Sequence, residues 1–356
     1  MAKSTASKSG KTKTRPTKKT AGNRTGKTKS QYVGLLVIGD PHIEGRQPGF
    51  RKDDFPNVVL KKIAWCLDYA KTNQLLPTFL GDMFDKPRDN PTWMIGRLIE
   101  IMSGSGSIGI FGNHDCADPQ LNENDSLSIL IKAGCLRLVD QRSPWRGLMN
   151  DRPVFVGGSS YRNEIPEVFK IPAGGRSGRR SLFDTDPFVV WLTHHDIDIA
   201  GYENGRFKPY EIENVDLLIN GHIHRRLESV QAGQTLWMTP GNISRRSRSE
   251  ANRQHVPTVV RIDVQSDDYK ISDVIVPHED HKKVFYDSVT DAGEIEVAQT
   301  ASEFVTGLAS LTARRTESGA GLHEFLAANL SQFDKPVVTE IERLAELVTG
   351  NGVSNG

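Results

Sequence analysis

The chain has 356 residues, with 45 lysines and arginines against 44 aspartates and glutamates, 10 histidines and 3 cysteines. No apolar run approaches the roughly 18 residues that a membrane-spanning helix needs, so no membrane partner is expected. Three scattered cysteines exclude a disulfide framework and a thiolate zinc site, which predicts a reduced, cytoplasmic compartment.

The small net charge conceals two regions of opposite charge. Residues 1–30 contain ten basic side chains and no acid, which leaves 35 basic and 44 acidic side chains in the rest of the chain. A segment of Lys, Ser, Thr and Gly cannot bury enough apolar surface to compensate its ordering entropy, so residues 1–31 are predicted to be a disordered basic tail. Such a tail favours salt-sensitive binding to nucleic acid, and a solubilising leader or a targeting segment is the alternative.

Strands and helices alternate from residue 32 onward. Short apolar runs that end in glycine or polar residues are typical of buried strands, and helix-spaced apolar residues follow the first three of them. This alternation predicts a layered α/β domain over residues 32–277. The predicted strands are 32–38, 75–80, 107–111, 153–157, 187–193, 215–220, 235–238, 258–264 and 269–276, and the predicted helices are 54–72, 92–102 and 126–133. Residues 278–356 are predicted to be a C-terminal helical appendage, with helices at 292–311 and 321–348.

Five polar clusters follow predicted strands. Because the carboxyl ends of parallel strands meet at one edge of a sheet, the clusters are expected to lie close together. Aspartate, histidine and asparagine without thiolates suit Mn²⁺, Fe²⁺ or Zn²⁺, and so many ligands fit two ions about 3.5–4 Å apart bridged by one carboxylate. Any one cluster alone is equally well a turn or a hydrogen-bonded histidine, whereas five in this order favour a metal centre. The clusters are Asp40-Pro-His42, Gly81-Asp82-Met-Phe-Asp85, Gly112-Asn113-His114-Asp115, Thr193-His194-His195-Asp196 and Gly221-His222-Ile-His224.

In this order the clusters resemble the motifs of the calcineurin-like metallophosphoesterase superfamily, over roughly residues 33–276. The resemblance implies a four-layer α/β/β/α sandwich and two divalent ions, with Mn²⁺ expected ahead of Fe²⁺ or Zn²⁺. It also implies the ligands of these ions. They are Asp40, His42 and His224 for the first ion, Asn113, His194 and His222 for the second, and Asp82 as the bridge.

The same resemblance implies roles for three further side chains. His114 would stand beside the ions as the general acid, and Asp85 would orient it. Of the adjacent pair His194 and His195, His194 matches the single histidine of the family better, so it is the predicted ligand.

The segment after the last cluster narrows the substrate. Residues 239–250 are similar to the Pro-Gly-Ser…Arg…Glu segment that closes the nuclease domain of SbcD/Mre-type DNA repair nucleases, although Asn242 stands where that family usually has serine. This resemblance implies a Mn²⁺-dependent DNA exonuclease or endonuclease of repair or recombination, associated with the nucleoid when it acts on DNA. The alternatives are a phosphatase or small-nucleotide phosphodiesterase on the same centre, and a non-catalytic DNA-binding scaffold.

Basic residues and the C-terminal helices suggest partners. Arginines position nucleic acid through its phosphates without reading sequence, and a solvated surface loop is the alternative. The resemblance further implies that residues 290–348 bind the coiled coil of an SbcC/Rad-type ATPase, whereas a stripe packed on the protein's own body is as consistent with the spacing. A homodimer is a further expectation. The predicted phosphate-binding arginines are Arg225, Arg226, Arg245, Arg246 and Arg248, with Arg176, Arg179, Arg180 and Arg253 as additional basic residues.

Overall fold

The computed structural model describes residues 31–47, 51–171, 186–202, 205–246 and 253–286, together with Lys335, Val338, Thr339, Ile341 and Arg343. Several predictions concern other parts of the chain. The basic tail, Arg248, the loop with Arg176, Arg179 and Arg180, and most of the C-terminal appendage lie outside the described residues.

Twelve strands and four helices have defined bounds within the described residues. The strands form two six-stranded mixed sheets, of order β12-β11-β1-β2-β3-β4 and β5-β6-β7-β8-β10-β9 once numbered along the chain. The strands are β1 (Gly34–Ile38), β2 (Leu75–Phe79), β3 (Ile108–Gly109), β4 (Arg137–Leu138), β5 (Trp145–Met149), β6 (Arg152–Ser159), β7 (Phe188–Thr193), β8 (Leu217–Asn220), β9 (Val230–Ala232), β10 (Thr235–Met238), β11 (Thr258–Val264) and β12 (Tyr269–Ile275). The helices are α1 (Phe55–Thr72), α2 (Thr92–Met102), α3 (Ser126–Lys132) and α4 (His281–Val284).

Each sheet combines four consecutive parallel strands with two antiparallel ones, which lie together at one edge of the first sheet and at opposite edges of the second. Strands β1, β2, β3 and β4 run parallel to one another, and β6, β7, β8 and β10 do the same in the second sheet. Parallel strands are buried on both faces, which explains why β1 and β2 are buried at every position and contain a single polar side chain, that of Thr78.

Alternate residues of β1 divide the core into two layers. Leu35 and Val37 pack between the sheets against β7 and β8, whereas Leu36 and Ile38 pack against α1, α2 and α3. On the far side of the second sheet, Trp191 and Trp237 pack against residues of the segments 165–171 and 197–215. The predicted α/β sandwich is confirmed, and in the described residues its outermost layer on the second sheet consists of loops.

None of the described helices combines the length and the apolar character that crossing a membrane requires.

Candidate metal centre

The loops after β1 and β2 are joined by their backbones. The register runs from Gly34 opposite Leu75 to Ile38 opposite Phe79, so both strands end level with each other. Beyond them, the N–H of His42 donates to the carbonyl of Asp82 at 2.9 Å. This pairing places the first two polar clusters side by side.

The backbone at these loops is unusual. Asp40, His42, Asp82 and His222 all have positive φ angles, of 22°, 45°, 47° and 68°. Such conformations cost free energy in residues other than glycine and are concentrated at functional sites. The positive φ angles therefore indicate that these four residues belong to a functional site.

Two glycines leave space for the buried carboxylates. A Cβ on Gly112 would lie 2.1 Å from Oδ1 of Asp82, and a Cβ on Gly221 would lie 2.8 Å from Oδ1 of Asp40. Any side chain at either position would displace a carboxylate, so these glycines are needed for the close approach of the loops.

The first group of candidate ligands consists of Asp40, His42, Asp82 and His224. Nε2 of His42 lies 2.8 Å from Nε2 of His224 and 3.4 Å from Oδ2 of Asp82, and Nε2 of His224 lies 3.5 Å from Oδ2 of Asp40. Both carboxylate oxygens of Asp40 are buried without a hydrogen-bond partner among the described residues. Buried charges normally are paired or bind metal, so this donor set fits a divalent cation.

The second group shares Asp82 with the first. Oδ1 of Asn113 lies 3.2 Å from Nε2 of His194 and 3.0 Å from Nδ1 of His222. Oδ2 of Asp82 lies 3.2 Å from Nε2 of His194, and the same oxygen is the one that approaches His42. The structure thus brings all seven predicted ligands into two adjoining groups, with Asp82 between them.

Hydrogen bonds on the outer side of the rings fix which nitrogen faces the centre. Nδ1 of His194 lies 2.8 Å from the carbonyl oxygen of Leu80, which leaves Nε2 for a ligand. Nε2 of His222 lies 2.8 Å from Oδ1 of Asp196, which leaves Nδ1. The hydroxyl of Tyr202 donates to the same Asp196 oxygen at 3.1 Å. Carboxylates and carbonyls commonly orient metal-binding histidines in this way.

His195 belongs to a different environment from His194. Its Nε2 lies 2.9 Å from the carbonyl oxygen of Asn163, and its backbone N–H donates to the side chain of Asn220. The choice of His194 therefore agrees with the geometry, although the two residues are neighbours in sequence.

Burial dominates the pKa values at the centre. It raises the pKa of Asp40 to about 7 and lowers the pKa of His42 to about 4. Burial also disfavours the charged form of His194, but the neighbouring Asp82 carboxylate outweighs it and raises the pKa of His194 to about 10. For Asp82 the effect of burial is overcome by His194 and His42, which hold the pKa of this carboxyl well below its usual range. These opposed pKa shifts have one cause, which is that carboxylates and imidazoles are buried together at close range.

His114 stands at the mouth of the centre. Its side chain is 38% exposed, whereas those of His42 and His194 are completely buried. Its backbone N–H donates to Oδ1 of Asp82 at 2.8 Å, so its position depends on the predicted bridge. The ring is anchored through Nδ1, which leaves Nε2 available to a substrate.

The group that orients His114 differs from the prediction. Nδ1 of His114 lies 2.7 Å from the backbone carbonyl oxygen of Asp85 and 3.8 Å from its carboxylate. The Asp85 carboxylate instead forms an ion pair with Arg246. Asp85 thus lies beside His114 as predicted. Its backbone carbonyl, and not its carboxylate, contacts the histidine, because the carboxylate is paired with Arg246.

The predicted phosphate-binding arginines separate in space. Arg246 reaches the metal centre through Asp85, but Arg245 donates to the carbonyls of His255 and Glu279, at 2.7 and 3.1 Å. Arg225 donates to the carbonyl of Gly201, and Arg226 lies 3.5 Å from the carboxylate of Asp273. Of the arginines within the described residues, Arg246 is the one paired with a side chain of the centre, and a role in phosphate binding stays a prediction for the others.

Two residues of the polar clusters have structural functions that the sequence did not assign. Asp196 orients His222, as described above. Asp115 is buried and accepts hydrogen bonds from the N–H groups of Gly112 and Phe84, at 2.9 and 3.2 Å, which joins the second and third clusters. In the sequence, these functions of Asp115 and Asp196 were indicated by nothing more than the position of both residues within the polar clusters.

The similarity of the chain to individual known proteins is remote. No curated protein matches the chain. Solved structures that match include a conserved uncharacterized protein of Streptococcus pneumoniae described as a predicted phosphoesterase (13% identity, 72% of this chain, 93% of that chain, TM-score 0.31). A second is a hypothetical protein of Thermus thermophilus (13% identity, 68% of this chain, 99% of that chain, TM-score 0.36). A third is vacuolar protein sorting 29 of Cryptosporidium parvum (12% identity, 68% of this chain, 97% of that chain, TM-score 0.28). These similarities are too weak to carry an argument about function.

The sequence model of the calcineurin-like phosphoesterase family matches residues 34–226, more than half of the chain. That range begins at β1 and ends just after His224, so it contains all five polar clusters. The chain belongs to the calcineurin-like phosphoesterase family.

Proposed function

We propose that the protein is a two-metal phosphodiesterase that cleaves DNA in the manner of SbcD/Mre-type nucleases, with Mn²⁺ as the preferred ion. The observation that carries this proposal is the position of His114. It is a partly exposed imidazole whose backbone N–H donates to Asp82, the carboxylate shared by the two ligand groups. An acid at the mouth of a cation site can give a proton to the leaving oxygen of a phosphoester.

The side chains divide the work between binding and proton transfer. Asp40, His42, Asp82 and His224 would hold one ion, and Asp82, Asn113, His194 and His222 the other. Bound divalent ions supply Lewis-acid activation of the phosphoryl group and of the attacking water. His114, anchored through Nδ1 on the Asp85 carbonyl, would carry at Nε2 the proton that it gives to the leaving oxygen.

Three features support DNA as the substrate. Arg246 places a half-buried guanidinium beside the centre, where it can meet a phosphate. The segment around it is the one that resembles SbcD/Mre-type nucleases. Residues 1–30 add ten basic side chains, which would strengthen binding to a polyanion at low salt.

The test is cleavage of linear DNA by the full chain with Mn²⁺. Replacing His114 by Gln should lower the rate by roughly 10²–10⁴-fold, the usual contribution of a positioned acid, while bound metal measured by mass spectrometry stays unchanged. His195→Gln is the matched control, because His195 is also a histidine beside the ligands but contacts Asn163 instead. It should cleave like the parent protein.

The other outcomes identify the alternatives. Hydrolysis of bis(p-nitrophenyl) phosphate with all forms of DNA left intact would indicate a small-substrate phosphodiesterase. Binding of DNA without turnover in any divalent metal would indicate a scaffold protein. Either result would overturn the nuclease proposal.

A further inference from the structure

A cavity of about 530 Å³ lies beside the first turns of α1. We call it the α1 groove. It lies between α1 and the segment 277–284, and it is separate from the ligand groups of the metal centre. Its lining includes Arg51, Lys61, Lys62, Trp65, Arg245 and His278.

The acids of the α1 groove are already paired, but most of its cations are not. Asp53 is held by Arg51 through two contacts of 2.8 and 2.6 Å, and Glu279 is paired with Lys283 at 3.2 Å. Lys61, Lys62 and Arg245 form no ion pair within the described ranges. The lining of the α1 groove therefore carries four cations against two acids, an excess of two positive charges.

Two of these cations retain unused donors. The ammonium of Lys62 donates to the carbonyl of Ile243 at 2.8 Å, and an ammonium has three N–H bonds. Arg245 uses Nε and Nη1 on two carbonyl oxygens, and its Nη2 has no hydrogen-bond partner among the residues that the structure describes. Burial lowers the pKa of Lys62 to about 8, with the charges of Arg51 and Arg245 acting in the same direction. Cations held close together in this way would be stabilised by an anion.

The α1 groove is connected to the metal centre through adjacent residues. Arg245 lines the groove, and the next residue, Arg246, pairs with Asp85 at the centre. Arg245 and Arg246 are thus adjacent in sequence, and one lines the groove while the other contacts the metal centre. Arg245, Lys61 and Lys62 line the same groove, so a polyanion that reaches Arg246 has three further cations close to it along the chain or in that groove.

We propose that the α1 groove binds the backbone phosphate of a nucleic-acid strand at a position away from the bond that is cut. Lys61, Lys62 and Arg245 hold the phosphate. The half-buried Trp65, one face of which is stacked on Tyr69, adds aromatic surface to the same groove. This inference rests on the proposed function and adds to it a second point of contact with the substrate.

The test measures binding to a labelled single-stranded oligonucleotide with phosphorothioate linkages, which slow its hydrolysis. Fluorescence anisotropy is recorded with the full chain and Mn²⁺ over a series of salt concentrations. Lys61→Glu should raise Kd at least about fivefold at low salt and reduce the salt slope by about 0.7 for each phosphate that the variant no longer neutralises. Lys61 is exposed, so its replacement leaves the core intact.

Lys71→Glu is the matched control. It makes the same charge change on the same helix, at an exposed position about 15 Å further along α1. This variant should bind like the parent protein. Lys62→Met, checked for folding by circular dichroism, should weaken binding in the same direction as Lys61→Glu.

Failure of this inference can be told apart from failure of the proposed function. If the parent protein cleaves DNA but Lys61→Glu and Lys71→Glu have the same Kd and salt slope, the groove proposal is wrong. If the parent protein binds the oligonucleotide in a Lys61-dependent way but cuts no DNA, the groove proposal stands and the nuclease proposal fails.

Discussion

The two sheets contribute different chemistry to the same centre. The loops of the first sheet supply every carboxylate and the amide among the candidate ligands, whereas the loops of the second sheet supply only imidazoles. Each ligand group nevertheless draws on both sheets. The comparison shows that the first sheet determines the negative charge of the centre and that the packing of the two sheets determines its geometry. The first-sheet residues are Asp40, His42, Asp82 and Asn113, and the second-sheet residues are His194, His222 and His224.

The layer between the sheets explains how this geometry is kept. Val37 of β1 and Ile219 of β8 are fully buried in the same cluster. They lie three residues before Asp40 and three residues before His222 in the sequence. Close-packed interiors transmit small shifts, so a substitution in this layer should change the positions of the ligands and the affinity for metal.

The largest effect is expected from removing the negative charge that both ligand groups share. Asp82→Asn keeps the shape of the side chain and an acceptor for the His114 N–H but removes the bridging carboxylate. We expect loss of bound metal by mass spectrometry and a fall in kcat/KM of about 10³-fold, since metal activation is worth several kcal/mol. Asp68→Asn, on the exposed side of α1, should change neither quantity. Retention of both metals by Asp82→Asn would contradict the shared role.

A smaller effect is expected from losing one second-sheet imidazole. His194→Gln should weaken binding of Mn²⁺ in calorimetry by more than about 100-fold, which is the upper range for a residue that only orients a ligand. His195→Gln should bind Mn²⁺ like the parent protein, because its ring faces Asn163. The reverse result would show that the wrong histidine of the pair has been assigned.

The next largest effect is expected from replacing Asp196, which orients the second-sheet ligand His222. Asp196→Asn keeps an acceptor toward His222 but removes the charge, so Mn²⁺ affinity should fall about 10–100-fold. The measurement is again calorimetry, which does not depend on activity. Unchanged affinity would mean that the contact with His222 is incidental.

The smallest effect is expected from the layer between the sheets. Ile219→Val removes one buried methylene and should lower the free energy of unfolding by about 0.5–1.5 kcal/mol in urea denaturation. Ile275→Val is the control, because Ile275 is 62% exposed. If packing sets the metal geometry, Ile219→Val should also weaken Mn²⁺ binding slightly and Ile275→Val should not.

Most of the central strands and helices could be predicted because they are buried. The helix 92–102 and the strands 235–238 and 258–264 agree residue for residue with α2, β10 and β11. The strands β4, β5 and β9 were not predicted. They are short strands in which exposed or half-buried residues predominate, so they lack the apolar runs on which the prediction depends.

The ligands of the site could also be predicted from the sequence, but the contacts between distant residues around them could not. The ligands lie at strand ends, where the local sequence determines their position, and the structure brings them together. The partner of Asp85 is Arg246, which lies 161 positions away in the sequence, and Arg245 turns instead toward the carbonyl of His255. No local pattern in the sequence carries that information.

The most direct test of the two-metal centre is anomalous diffraction from a crystal of the full chain soaked in Mn²⁺. We expect two neighbouring anomalous peaks, one within the group of Asp40, His42 and His224 and one within the group of Asn113, His194 and His222, with the Asp82 carboxylate contacting both. A single peak that Asp82 does not contact, or strong peaks only at other surfaces of the protein, would contradict it.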